Sequence, residues 1–266
     1  MDIPILYQMP TLVIGLFFAV ILLAALEVGY RIGRWRRKET AETDRKEQGD
    51  LVLTSMYALL GLMLAFTYTF TLSRADLRKQ AVIDEANAIG TAFLRAGLAP
   101  EPARTELRKA LLDYAKTRLV PAGTAVTNEQ LRKTVASTSQ ALSKIWPITE
   151  QMVKSKPAGP VEASIVQSIN EVIDMNTKRL AVSFDRLPGV ILLMLLFIAS
   201  TAVAMTGLSA GLSGRMNRWG LTLLILVLAV VMLIITDFDR PIRGFVQVSQ
   251  QSLVDVIRDM EATLGE

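Results

Sequence analysis

Apolar and polar positions along this chain are sorted into long blocks. Four apolar runs, Thr11–Val28, Leu51–Leu72, Gly189–Leu212 and Trp219–Thr236, alternate with segments in which charges return. A helix rises about 1.5 Å per residue, so roughly 20 apolar residues cover a hydrocarbon core of about 30 Å. Each run has that length or comes close to it. Lipid gives backbone amides no hydrogen-bond partner, so each run is expected to be a helix. The pattern predicts an all-α integral membrane protein with four transmembrane helices, at 11–30, 51–72, 188–212 and 219–236.

The long middle region, 73–187, carries no alternating strand pattern and no hairpin turn, and reads as an extramembrane helical domain. Nothing from 51 to 96 is proline, so the second membrane helix is expected to run on to Arg95, where Gly97 and Pro100 stop it. At about 1.5 Å per residue such a helix is roughly 70 Å long. Further helices are predicted at Glu101–Leu119, from a Thr127 N-cap with Gln130 to about Lys154 with a kink at Pro147, and at 161–186. Two long extensions and two shorter helices make a four-helix bundle the simplest packing. In the tail, 237–266, Pro241 and Gly244 break the fourth helix. A short amphipathic helix near 249–263 then sets Leu253, Val256, Ile257 and Met260 on one face. That face suits either the bundle or the membrane surface.

Composition narrows the chemistry. With 51% hydrophobic residues, the chain is too apolar for an ordinary soluble domain, yet 20% of its residues are charged. There is no cysteine and no histidine, which removes disulfides, thiolate metal sites, thiol nucleophiles and the usual general base. No glycine loop suited to phosphate and no serine elbow is present. An enzyme, a cofactor and a metal centre are therefore not expected. The net charge of +4 is mostly local, and no basic stripe interleaves with aromatics, so nucleic acid is not an expected partner; the lipid bilayer is.

The charges also bear on topology. Linker 31–50 holds Arg31, Arg34, Arg36, Arg37, Lys38, Arg45 and Lys46, while residues 1–10 hold no basic residue. Tyr30 and Trp35 suit the interface. Basic short loops stay in the cytoplasm, so the linker is expected inside, with both termini and residues 73–187 outside the cytoplasm in a multi-pass inner-membrane arrangement. Basic residues flanking the middle region, among them Arg74, Arg78, Lys178 and Arg186, oppose this, but long loops cross with little regard to charge.

Several polar residues break local rules. Glu85 falls within a helical face of Leu77, Ala81, Val82, Ala88, Ile89, Ala92, Phe93 and Ala96, with Arg78 two turns away. A carboxylate facing other helices is paired or shifts its pKa. It is either an ion-coordinating or gating group, or part of a structural network with neighbours such as Asp84. Asp237 and Asp239 stand at a helix C-terminus, where the dipole disfavours them, so they need partners such as Arg240, Arg74 or Arg78. Tyr57, Gly61, Tyr68 and Thr71 share a stripe that suits either a water-filled path or a neighbouring helix. Gly207 and Gly211 form a G-x-x-x-G pair that permits close helix contact.

The stretch from Ser73 to Thr91, with Arg74, Arg78, Asp84, Glu85, Asn87 and Gly90, resembles a signature of the bestrophin-like family, bacterial proteins with four membrane segments. Asp237-Phe238-Asp239-Arg240-Pro241-Ile242-Arg243-Gly244, followed by Val248-Ser249-Gln250-Gln251, resembles its second signature, and Asn170-Glu171 with Asp174 also fits. The resemblance spans nearly the whole chain. It implies kinship with bestrophins, which are pentameric anion channels, and hence a homo-oligomer that handles small ions. Gly61-Leu62-Met63-Leu64-Ala65-Phe66, with Arg74 eight residues on, is similar to the bestrophin second helix. On that resemblance Leu62, Phe66 and Phe70 form an apolar constriction, Thr67 and Thr71 a polar lining, and Arg74 and Arg78 a cationic vestibule. Three features depart from bestrophins: Thr67 stands where bacterial bestrophins carry arginine, no acidic calcium clasp occurs near the C-terminus, and the charge asymmetry inverts the topology. The alternative expectation is a non-conducting sensor or scaffold whose helical domain binds a partner protein.

Overall fold

The computed structural model describes residues 9–37, 44–120, 128–155, 159–240 and 247–265. Among them are nine helices: α1 Thr11–Arg36, α2 Asp44–Ala96, α3 Ala103–Thr117, α4 Asn128–Ser143, α5 Ile145–Ser155, α6 Pro160–Phe184, α7 Gly189–Ser213, α8 Arg218–Phe238 and α9 Gln251–Gly265. Four of them contain stretches long and apolar enough to cross a membrane. The chain is all-α and integral to a membrane, as its hydropathy pattern requires.

The described residues fall into two compact units. A membrane unit comprises Met1–Arg74 and Arg186–Val246; a bundle unit comprises Ala75–Asp185 and Gln247–Glu266. In the membrane unit, Ile14, Phe18, Leu22 and Leu26 of α1 pack with Leu192, Leu195, Ala199 and Val203 of α7 and with Ile225, Met232 and Ile235 of α8. The expected role of Gly207 and Gly211 has a definite geometry here. A Cβ on Gly207 would lie 2.2 Å from the Leu26 carbonyl oxygen, and one on Gly211 2.4 Å from that of Tyr30. The pairing is reciprocal, since a Cβ on Gly29 would lie 1.9 Å from the Ala204 oxygen and one on Gly33 2.3 Å from that of Leu208. Side chains are absent at this crossing, so the two backbones touch. α7 ends on Gly214, whose φ of 69° is a left-handed C-cap, and α8 begins where the Asn217 side chain accepts the Gly220 amide at 3.1 Å.

The bundle unit holds the α2 extension, α3 to α6 and α9. Its core joins Ile89 and Phe93 of α2, Leu107 and Leu111 of α3, Ile145 and Met152 of α5, and Ile165 and Ile169 of α6. Leu253, Ile257 and Met260 of α9 are buried in the same core, so the amphipathic tail face is covered by the bundle. The bundle thus has more members than four. The expected single helix with a kink at Pro147 is two helices instead, broken at Lys144. Pro147 has no amide for the Ser143 carbonyl, so the chain restarts and places the proline in the first turn of α5, where no amide is needed. The Thr127 cap and the 241–244 break lie outside the described residues.

Candidate functional site

In the membrane unit the candidate residues lie on α2. Leu62, Phe66 and Phe70 lie within about 80° of one another, since residues four apart differ by about 40°. They are 50%, 62% and 49% exposed. Arg74 stands one turn further on, its guanidinium 4.7 Å from the centre of the Phe70 ring, a cation–π contact. Thr67 and Thr71 are on another face and buried. Their hydroxyls donate to the carbonyls of their own helix, Thr67 to Met63 at 2.8 Å and Thr71 to Thr67 at 3.0 Å. The structure therefore does not bring the two threonines together with the three apolar residues. Of the polar stripe, Tyr57 is hydrogen-bonded to Thr206 of α7 at 2.8 Å and Tyr68 packs edge-on to Phe238.

The end of α8 carries a second cluster. Asp237, Asp239 and Arg240 are all nearly fully buried. Asp237 accepts from the Thr11 hydroxyl at 3.2 Å, and Asp239 accepts the Leu187 amide at 2.9 Å. Arg240 donates to the Thr11 hydroxyl at 3.4 Å and to the Met9 carbonyl. Carboxylates that the α8 dipole disfavours are thus held by donors from the start of α1 and the link before α7. This cluster joins elements far apart in sequence.

In the bundle unit Arg78 is buried. It donates to the Val182 carbonyl at 3.2 Å and to the Asp185 carbonyl at 2.7 Å, satisfying orphan acceptors at the end of α6. It does not pair with Glu85. Glu85 is fully buried and meets three other side chains. Tyr114 donates to Oε1 at 2.6 Å, and Arg179 donates to Oε2 at 2.5 Å. Arg118 Nε lies 2.7 Å from Oε1, an ion-pair contact without the alignment of a hydrogen bond. Beside it, Asp84 accepts from Lys178 at 2.9 Å and from Gln80 at 2.8 Å. Adjacent acids on α2 therefore meet adjacent bases on α6, one pair exposed and the other buried.

Electrostatics follow the burial. Burial and the neighbouring Glu85 charge hold the Tyr114 phenol far above its ordinary pKa, so it stays a donor. Burial draws the Arg179 guanidinium down and Glu85 opposes that shift, while the Arg118 charge adds to it. Hydrogen bonds from Lys178 and then Gln80 hold the Asp84 carboxyl below its ordinary value.

Sequence reading missed Tyr114, Arg118 and Arg179 as partners of Glu85. A signal exists for two of them: Leu107, Leu111, Tyr114, Ala115 and Arg118 recur at helical spacing, so Arg118 continues the apolar stripe of α3. The described residues contain no group of acids suited to a metal ion.

A family model described as Bestrophin-like domain matches residues 17–253. Among solved structures, a variant of a bacterial bestrophin homologue from Klebsiella pneumoniae aligns with a TM-score of 0.68 at 11% identity, covering 96% of this chain and 98% of that one. A second variant of that homologue aligns with a TM-score of 0.65 at 11% identity over 94% and 98% of the two chains. At that identity the likeness establishes the fold. No curated protein matches the chain by sequence.

Proposed function

The chain belongs to the Bestrophin-like family, and on that premise we propose that it is a homo-oligomeric channel for small ions, with anions as the favoured class. The observation that carries this reading is the uncovered apolar face of α2. Within the apolar stretch of α2, 17% is buried by the chain itself, against 28%, 39% and 39% for the other three spans. α2 thus has the most surface left for copies of itself. Grouped about a common axis, Leu62, Phe66 and Phe70 make a constriction that gates by dewetting. Arg74, held at the end of that stripe by Phe70, gives the entrance a positive charge that favours anions. Thr67 and Thr71 stand behind the lining face. The charge asymmetry supports an inner-membrane orientation with linker 31–50 in the cytoplasm and the bundle unit outside it.

Reconstitution in liposomes tests the reading. Chloride flux exceeding potassium flux is expected, and Phe66→Ala is expected to raise it. A purified protein that is monomeric in native mass spectrometry and passes no ion at any voltage would leave the non-conducting scaffold instead. A cysteine at Ser137 is expected to react with an impermeant thiol reagent in intact cells; labelling at Thr43 with protection at Ser137 inverts the orientation.

A further inference from the structure

The buried centre of the bundle unit is not electrically balanced. Glu85 brings one negative charge, and Arg118 and Arg179 bring two positive ones, all with side chains no more than 11% exposed. Tyr114 is neutral and spends its proton on Glu85. The neighbouring pairs balance themselves: Asp84 with Lys178, and Lys116 with Glu261 at 2.6 Å. Arg179 and Arg118 share the single Glu85 carboxylate, so a surplus of one positive charge remains.

Arg118 carries that surplus. Its side chain is 7% exposed and touches Glu85 through Nε. Nε is the Arg118 nitrogen that is fully buried without a hydrogen bond, while the two terminal nitrogens, with four N–H donors, donate to no described residue and form the accessible edge of the group. Arg179, by contrast, spends Nη1 on Glu85 and directs Nη2 at the Arg118 carbonyl, 3.4 Å away. A buried cation is stable when it is paired and its donors are filled. A guanidinium fork matches a small anion well.

We infer that the free edge of Arg118, beside Arg179 and Glu85, is a binding site for a small monovalent anion of the halide class. One negative charge neutralises the cluster, and the near-complete burial of the Arg118 side chain favours a small ion. The bound ion ties α3 to the α2–α6 ion pair, so it stabilises the bundle unit. This site belongs to the bundle unit, and its test reads equilibrium binding, so it stands whether or not the protein conducts.

The test uses the full chain in detergent, melted in sodium bromide or sodium gluconate at matched ionic strength. An anion that binds the folded state raises Tm with concentration. A Tm several degrees higher in bromide is expected for the wild type, with an anomalous bromide peak against the terminal nitrogens of Arg118 in crystals. Arg118→Gln is expected to abolish the bromide dependence. Should that variant not fold, Arg118→Lys, which keeps the charge but loses the fork, is expected to shift the bromide titration to higher concentration. Glu85→Gln, which doubles the surplus charge, is expected to move the titration to lower concentration, an effect a purely structural cluster does not produce. Equal melts in bromide and gluconate, bromide ordered elsewhere but not at Arg118, or an Arg118→Gln variant with undiminished dependence would each overturn the inference.

Discussion

The membrane unit and the bundle unit use opposite means to hold helices together. Where α1 crosses α7, Gly29, Gly33, Gly207 and Gly211 remove the side chains and let the backbones meet. In the bundle, Leu107, Leu111, Ile165 and Ile169 fill the space with large side chains, and a charged cluster is buried among them. The difference follows from the solvent. In lipid an apolar side chain gains nothing by leaving its surroundings, so contact depends on close approach and dispersion. In water, burial of apolar surface drives packing at roughly 25 cal/mol per Å². A helix such as α2, which runs through residues of both units, therefore changes its rules along its length.

The most damaging challenge to the bundle is removal of its carboxylate. Glu85→Ala leaves Arg118 and Arg179 buried without it, and about 3–5 kcal/mol of stability should disappear. Denaturant unfolding of the purified protein measures this, and an unshifted midpoint would mean that the ion pairs contribute nothing. A paired substitution sharpens the contrast between solvents. Leu111→Ala, at a fully buried bundle position, should cost about 2–5 kcal/mol, whereas Leu22→Ala, as deeply buried among α1, α7 and α8, should cost less because lipid is the alternative. Equal losses would break the comparison.

Gly207→Val probes the membrane side directly. Its Cβ would meet the Leu26 carbonyl at 2.2 Å, so the helices must separate, at about 1–3 kcal/mol. Reduced cross-linking between cysteines placed on α1 and α7 would register the separation. The smallest effect concerns acid. Because hydrogen bonds from Lys178 and Gln80 lower the Asp84 pKa on folding, this pair stabilises the bundle above the ordinary carboxylate pKa. That stability is lost as pH falls through the lower, folded value. Asp84→Asn should flatten the acid limb of the stability profile slightly, and an unaltered limb would discount the pair.

The amino-acid sequence already specified the four membrane helices, the continuous α2 and the helical character of the middle region. These depend on run length, hydropathy and the placement of proline and glycine, all of which are local. It marked Glu85, Asp237 and Asp239 as needing partners, because each offends a rule readable on its own helix. Who those partners are emerges from the way the helices pack. Arg118 and Arg179 reach Glu85 from α3 and α6, and Thr11 and Leu187 reach the aspartates from distant points of the chain. The separation of Thr67 and Thr71 from Leu62, Phe66 and Phe70 shows the same division. The resemblance grouped all five in one pore, but which face the chain covers depends on the helices packed against it. Periodicity is a property of one helix, whereas pairing and burial require at least two.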